Sequence, residues 1–402
     1  IDKAINVEEQ IDLQIRNRTK GMDVEVDVTE ENPEMDSFEQ MEDGSIAFGD
    51  TLPSIEDPED FYANLADLME DSDINSVKND LMSNVDSDKE SRSDWEKTYK
   101  EGLEYLGMKY EERSQPFEGA AGVMHPLLAE SVTQFQAQAY NELLPSQGPV
   151  KTQVLGMTTP DTEGQASRVQ EFMNYQLMQV MKEYDSETDQ MLFYLPLSGS
   201  AFRKVYYDQN LGRAVSKFIP SEDLIVPYAA TDLHSATRIT HVINMSMNDI
   251  RKSQQTGFYS DVDIDSGNMT AEDLDGIQEG IDDLQGVSPD YSDDDTCKVH
   301  EIHTELDMPG FEDLDDEGEE TGIKLPYIVT IGNNKVLAIR RNYKEDDQLK
   351  QRINYFVHYK FLPGLGFYGF GLTHMIGGLS KAATSILRQL IDAGTLSNLP
   401  AG

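Results

Sequence analysis

Residues 361–378 read "FLPGLGFYGFGLTHMIGG", and the reading of this stretch decides the fold. Gly364, Gly366 and Gly369 spell G-x-G-x-x-G between an expected strand and an expected helix, the context of a dinucleotide fingerprint. A parallel nucleotide-binding fold also needs an acidic residue about 20 positions on, at the end of the next strand. Asp392 has roughly that spacing, but it falls in the last turn of the following helix, ahead of Gly394. Gly371 and the Gly377–Gly378 pair spread glycine beyond the fingerprint. The other reading is a structural elbow at Gly364, Gly366, Gly369 and Gly371, where backbones pack closely or pivot. Helices and strands upstream come in runs rather than in βαβ alternation, so the expected fold class is α+β.

The helix launched by this stretch spans 372–391 and carries apolar residues at 372, 375, 376, 379, 383, 386, 387 and 390. That is one stripe at helical spacing. His374, Lys381 and Arg388 lie seven apart and line up along another face. From Gln348 to Ile391 there is no Asp or Glu, while Lys350, Arg352, Lys360, Lys381 and Arg388 are present. In a chain of net charge −43, this window has two readings. The bases pair with acids of a neighbouring subunit, or the helix approaches a phosphate backbone. His374, Lys381 and Arg388 are the candidates for either role.

Upstream, "SDWEKTYKEGLEYLGMKYEER" from Ser93 reads as a helix with Trp95, Tyr99, Leu103, Leu106 and Tyr110 on one face and Asp94 as N-cap. A second helix runs from near His125 to Pro145, and a third covers about 162–183 with Val169, Phe172 and Met173 on its apolar face. Strands follow. "SAFRKVYYD" and "AVSKFIP" flank the turn "QNLGR", and "EDLIVP" and "ATRITHVINM" come next. Ser246 and Gly257 bracket a short helix. "CKVHEIHTELDM", the hairpin "LPYIVTIGNNKVLAIRRN" and "INYFVHYKFL" complete the sheet signals.

The charge is unevenly placed. Residues 21–90 hold 23 acids against Lys78 and Lys89, and residues 261–320 hold 23 acids against Lys298 alone. The rest of the chain is close to neutral. Such runs read as solvated or disordered surface, or as a field that repels polyanions. The single cysteine, Cys297, excludes an internal disulfide and a CxxC zinc frame, and fits a reducing compartment. Opening on Ile1, the chain reads as a fragment or processed product, with no apolar leader in residues 1–30. The acid- and base-poor stretch 361–380 is too rich in glycine for a membrane span, so no membrane association is expected.

Two further motifs carry chemistry on paper. "DVDIDSGNMTAE" (261–272) places Asp261, Asp263, Asp265 and Glu272 on calcium-loop positions, but its glycine is Gly267, one place late, and position eight is Asn268. An acidic loop closed by Thr270 as N-cap is the plainer reading. Cys297, His300 and His303 cluster in "CKVHEIH", yet strand residues three apart face opposite ways and cannot share one metal without a bulge. No nucleophile elbow, zinc-protease helix or P-loop is present. No enzyme, no cofactor and no metal are expected. A dinucleotide enzyme at Gly364–Gly369 and a calcium-binding interaction module at 261–272 stand as alternatives.

"KFIPSEDLIVPYAATDLHSATRITHVINMSMNDIRKSQQTGFY" (217–259) resembles the wing region of tailed-bacteriophage portal proteins, where a P-x-E-D-L-x-V-P strand leads to a histidine strand and an M-S-x-x-x-I helix. "YFVHYKFLPGLGFYGFGLTHMIGGLSKAATSILRQLIDAGTLSNLPAG" (355–402) is similar to that family's glycine-rich turn and the helix heading toward stem and clip. The resemblance spans about 93–402, is strongest over 200–257 and 354–402, and is closest to the large portals of short-tailed phages. Residues 1–92 read from their charge as an acidic arm, partly disordered or extended, that this family does not match residue by residue. The resemblance implies a wing domain at 93–362 with an acidic insertion at 258–322, and an elbow with a stem-directed helix at 363–402. It also implies a homo-oligomer ring, usually of twelve subunits, at one capsid vertex of the virion, assembled in the host cytoplasm. Double-stranded DNA would pass through its channel during packaging and ejection. Terminase, head–tail adaptor proteins and the major capsid protein would be its partners. Family members continue past the equivalent of Gly402 into a second stem helix and crown.

Overall fold

A computed structural model describes residues 61–108, 112–208, 211–264, 276–287, 296–313 and 321–398, all within the compact unit Pro58–Gly402. The described elements are eight helices and eight strands. In chain order they are α1 (Asp71–Ser91), α2 (Ser93–Tyr105), α3 (Leu127–Leu143), α4 (Pro160–Tyr175), α5 (Tyr184–Ser198), β1 (Ser200–Asp208), β2 (Arg213–Ile219), β3 (Leu224–Ile225), β4 (Arg238–Ser246), α6 (Met247–Gln255), α7 (Gly276–Gln285), β5 (Thr296–Leu306), β6 (Leu325–Gly332), β7 (Lys335–Arg341), β8 (Phe356–Lys360) and α8 (Leu372–Asn398). The strands form two sheets, β2-β1-β8 and β3-β4-β5-β6-β7, and every described pairing is antiparallel. The fold class is α+β.

Local chemistry accounts for most boundaries. Thr159 and Thr162 form a capping box at α4, with Pro160 at the first helical position, where its missing N–H costs nothing. The Ser246 side chain accepts from the Asp249 N–H and starts α6. Asn333 and Asn334 both have positive φ (42° and 63°), the geometry that a two-residue hairpin between β6 and β7 requires. Gly199, at φ 85°, stops α5 and turns the chain into β1.

Three apolar layers hold the sheets. On the outer face of the five-stranded sheet, Leu81 and Val85 of α1 pack with Leu65, Ile302, Val329, Ile331 and Ile339. Between the two sheets, Phe202, Ile219, Leu224, Ile239, Phe356 and Phe367 share one core. The far face of the three-stranded sheet is covered by Met191, Leu192 and Leu195 of α5, with Phe135 of α3. A separate cluster of Tyr99, Leu103, Leu128, Val132, Leu197 and Ile277 ties α2, α3, α5 and α7 together.

Three boundaries differ from the sequence reading. Residues 61–91, read as part of the acidic arm, are folded: Leu65 and Leu81 are buried, and Asp88 pairs with Arg238 at 2.7 Å. The expected acidic insertion, 258–322, contains β5, which lies between β4 and β6 in the main sheet. It also contains α7, whose Ile277 is buried beside α2. The sheet signal of "CKVHEIHTELDM" agrees with β5, whereas α1 and α7 were concealed by the net charge of their segments. The expected helix over 162–183 is helical over 160–180, and a further helix follows it. α4 ends through a π-turn at Gln176–Val180, the chain breaks at Met181, and α5 begins at Tyr184, a helix without a sequence signal in the reading above. α5 is buried on several sides and holds Pro196 in its last turn, so it lacks a one-sided apolar stripe.

Candidate functional site around the glycine crossing and helix α8

The glycines of 364–371 serve two different purposes. Gly371 sits against the backbone of Leu197–Gly199: a methyl placed on it would lie 2.5 Å from the Leu197 carbonyl oxygen and 2.8 Å from the Gly199 nitrogen. A methyl on Gly369 would collide with the Gly199 carbonyl oxygen. Gly366 has nothing within 4 Å of such a methyl, and Gly364 meets Tyr368 O at 3.1 Å. The elbow is therefore a packed crossing of two chain segments at Gly369–Gly371, not a pivot. Its N–H groups are used internally: Gly369 N–H donates to Ser200 Oγ (2.8 Å), Phe370 N–H to Leu362 O (2.9 Å) and Gly371 N–H to His374 Nδ1 (3.2 Å). A dinucleotide fingerprint uses such groups to hold a pyrophosphate and sits in a parallel βαβ unit. Here the Gly369, Phe370 and Gly371 donors are engaged, and the strand before the loop, β8, pairs antiparallel with β1.

Helix α8 leaves this crossing with its two faces inverted relative to an ordinary surface helix. Its buried face is Thr373, Gly377, Ser380 and Thr384, small or polar residues at spacings of four, three and four. They permit close contact: a methyl on Gly102 of α2 would lie 2.5 Å from Thr373 Oγ1, and one on Gly377 3.3 Å from the Tyr105 ring. The large apolar residues of the expected stripe divide. Leu372 and Ile376 pack partly against the α2–α3 cluster. Met375, Leu379, Ile386 and Leu390 point outward and are 56, 64, 63 and 69 % exposed. Burying each would be worth about 1.5–3 kcal/mol, so this face is an unused source of binding energy.

The three sequence candidates do not share one role. His374, exposed, closes the first turn of α8 through its Nδ1, and burial of part of its ring lowers its pKa. Lys381 is exposed, with its ammonium 5.9 Å from the centre of the Tyr105 ring. Arg388 is half-buried and donates from Nε to Val123 O at 2.7 Å. With its helical neighbours it forms a ladder: Thr384 Oγ1 accepts from His125 N–H (3.0 Å), and Asp392 Oδ1 accepts from Ala121 N–H (2.7 Å). Four residues of helix advance about 6.0 Å; two residues of extended chain advance about 6.6 Å. The near match lets three side chains four apart hold alternate residues of 121–125. Asp392, the acid whose spacing imitated a ribose-binding residue, is spent on this ladder. Lys381, Arg388 and Asp392 line a groove of about 870 Å³ with Glu101, Glu104 and Arg113, and its charge is mixed.

The remaining bases of the acid-free window are also engaged. Arg352 donates to the carbonyls of Ala236 (2.7 Å) and Leu233 (2.8 Å), Lys350 pairs with Asp313, and Lys360 donates to Gly366 O (3.3 Å). The acid-free window therefore does not fold into a continuous basic strip.

A second polar centre lies between the sheets. Lys204 of β1 meets both carboxylate oxygens of Glu301 of β5, at 2.5 and 2.6 Å, and Glu301 also contacts His303 Nε2 at 2.7 Å. Burial alone would raise the Glu301 carboxyl, but the Lys204 charge and the His303 hydrogen bond hold it well below the usual carboxylate range. Burial lowers His303, so the ring is neutral, with Nε2–H donating to Glu301 and Nδ1 facing Asn342 Nδ2 at 3.5 Å. His241 is lowered to about 3, chiefly by burial and then by Lys204, and its Nδ1 has no hydrogen-bond partner among the described residues. This centre joins the two sheets.

Cys297 is buried beside Gly332 and Leu337, and burial raises its thiol pKa. Among the described residues no group of three His, Cys, Asp or Glu side chains could hold a metal ion. Asp261 and Asp263 are described, but Asp265, Gly267, Asn268, Thr270 and Glu272 of the calcium reading, like Tyr110 of the first helix, lie outside the described residues. No helix among the described residues is long and apolar enough to cross a membrane.

Comparison with protein families and with curated proteins gives no match to the chain.

Sequence reasoning missed the inversion of α8 and the exposure of α4. No residue of α4 is buried, and Val169, Phe172 and Met173 point outward with Leu155 and Met157 of the preceding segment. A usable signal existed for α8: Thr373, Gly377, Ser380 and Thr384 form a second stripe at helical spacing, beside the apolar one.

Proposed function

We propose that the chain is a portal protein of a tailed bacteriophage: a subunit of a ring at one capsid vertex, through which double-stranded DNA is packaged and ejected. One observation carries the reading. The two segments that resemble portals, 200–257 and 354–402, are separated by nearly a hundred residues, yet they form one structural unit. β1 pairs on one side with β2 and on the other with β8. The glycine turn after β8 packs on the start of β1 through Gly369, Gly371 and Gly199. A single sheet and crossing would thus present α8 in a defined direction, as a wing presents a stem-directed helix.

The electrostatics support a conduit rather than a DNA-binding protein. A channel must not hold its substrate, because each phosphate neutralised adds affinity. The chain carries a net charge of −43, and four of the five bases of its acid-free window are taken up by internal carbonyls or an acid. On this reading the protein has no catalytic residue. Terminase supplies the packaging motor, and terminase, head–tail adaptors and the major capsid protein dock on the ring.

Electron microscopy of the purified full-length chain tests this. Closed rings of about a dozen subunits are expected. A chain that stays monomeric at high concentration overturns the reading.

A further inference from the structure

We infer that Arg203 of β1 is the centre of a binding site for a small inorganic anion of chloride size. The inference rests on buried charge and is independent of the ring reading. Two arginines are deeply buried among the described residues, and they are held differently. Arg92 pairs with Glu96 at 2.8 Å and donates to the carbonyls of Ser221, Glu222 and Leu224. Arg203, 3 % exposed, has no ion-pair partner among the described residues. Its Nη1 donates to Ser216 Oγ at 3.3 Å, its Nη2 donates to Thr188 Oγ1, and the guanidinium carbon lies 4.6 Å from the centre of the Tyr184 ring. Nε is buried and has no hydrogen-bond partner among the described residues. The ring offsets part of the charge, but neutral hydroxyls do not cancel it. A buried ion without a counter-charge loses its hydration and regains little. An unsatisfied buried donor points to a bound water or ion. Water would answer the Nε–H alone; an anion answers both the N–H and the charge.

The acids of the covering helix are engaged elsewhere. Glu183, at the start of α5, pairs with Arg213 at 2.7 Å, and Glu187 accepts from the Phe218 N–H at 2.7 Å. Asp185 accepts from Tyr140 Oη (2.7 Å) and Asp189 from Gln136 Nε2 (2.9 Å). A second donor stands beside the guanidinium. Ser216 is buried, its Oγ accepts from Arg203, and its own hydroxyl hydrogen meets no acceptor among the described residues. Arg203 also lies where the cover of α5 ends. On its face of the sheet Ala201 is fully buried, while Val205 and the cross-strand partner Val357 are exposed. A small ion therefore has an approach from the open side of the sheet. Crowding by Thr188, Ser216 and Tyr184 favours a monatomic halide over phosphate.

Thermal denaturation of the full chain tests this, with chloride or bromide replacing gluconate at fixed ionic strength. A tenfold rise in halide is expected to lift the melting temperature by about 2 °C, as binding to the native state alone requires. Ser216→Asp builds a carboxylate beside Arg203. That variant is expected to melt in gluconate at least as high as the parent does in chloride, and to lose the halide dependence. Crystals of the parent soaked in bromide should show an anomalous peak within hydrogen-bond distance of Arg203 Nε. A parent no more sensitive to halide than Ser216→Asp overturns the site, because the salt effect is then general. Bromide-soaked crystals without a peak at Arg203 overturn it as well, and they decide the matter if Ser216→Asp fails to fold.

Discussion

Gly371 shows how a single side-chain atom decides this structure. Its position is set by contact with the Leu197 carbonyl, a backbone group that cannot rotate away. Gly371→Ala is expected to cost about 1–3 kcal/mol or more through overpacking. Gly366→Ala, with open space around it and no positive φ, is expected to change stability by less than about 0.5 kcal/mol. Thermal denaturation of the two variants checks this, and equal losses would refute the packed crossing. His241 gives a second test. Its folded pKa of about 3 lies below the ordinary value of 6.5, so the unfolded chain binds the proton first as pH falls. Its contribution is fully present above pH 6.5 and is lost progressively down to about pH 3. His303 and His358 shift the same way, and the depressed Glu301 carboxyl adds to the loss below its ordinary value of 4.5. Stability should therefore fall with acidification. His241→Phe, which keeps a ring against Phe356, should flatten that fall between pH 6 and 4 by about 1.4 kcal/mol per pH unit. Urea denaturation midpoints measured across this range provide the check.

At the scale of the element, α8 separates two roles that look alike in the sequence. Lys381 and Arg388 are seven residues apart, yet one is exposed and the other holds the backbone of segment 121–125. Arg388→Glu should remove the Val123 contact and place a carboxylate near Glu104 and Asp392, destabilising the chain by about 1–3 kcal/mol. Lys381→Glu should leave the melting temperature of the monomer unchanged. If both variants melt like the parent, the ladder along 121–125 does not support α8. The same element shows why an amphipathic pattern names a stripe but not its direction. Thr373, Gly377, Ser380 and Thr384 win the inner face because small residues allow α8 to approach α2 closely, as at Gly102. The larger side chains are then displaced outward.

At the scale of the whole molecule, charge is the governing property. Acids crowd two segments, but both contribute to the folded core, through α1 over the main sheet and β5 inside it. The field around the molecule is strongly negative, and duplex DNA should bind more weakly than about 10⁻⁴ M at physiological salt, the weak end of non-specific binding. Fluorescence anisotropy with a short duplex measures this. Micromolar binding would be incompatible with a conduit that releases its substrate.

The α+β class, the two hairpins, helix α6 between Ser246 and Gly257, and the start of α8 follow from the order of residues alone. These depend on local chemistry: caps, turn residues and the period of apolar side chains. The apolar stripe of α8 and the acid-free window were also legible. Only the tertiary structure decided which face of α8 is buried, that Arg352 and Arg388 hold carbonyls, and that Gly369 and Gly371 are occupied by neighbouring backbone. It also decided that β8 joins β1, across the 147 residues between Asp208 and Phe356 in a chain of 402. Those facts depend on which distant segment arrives within a few ångströms, and no short window of sequence contains that information.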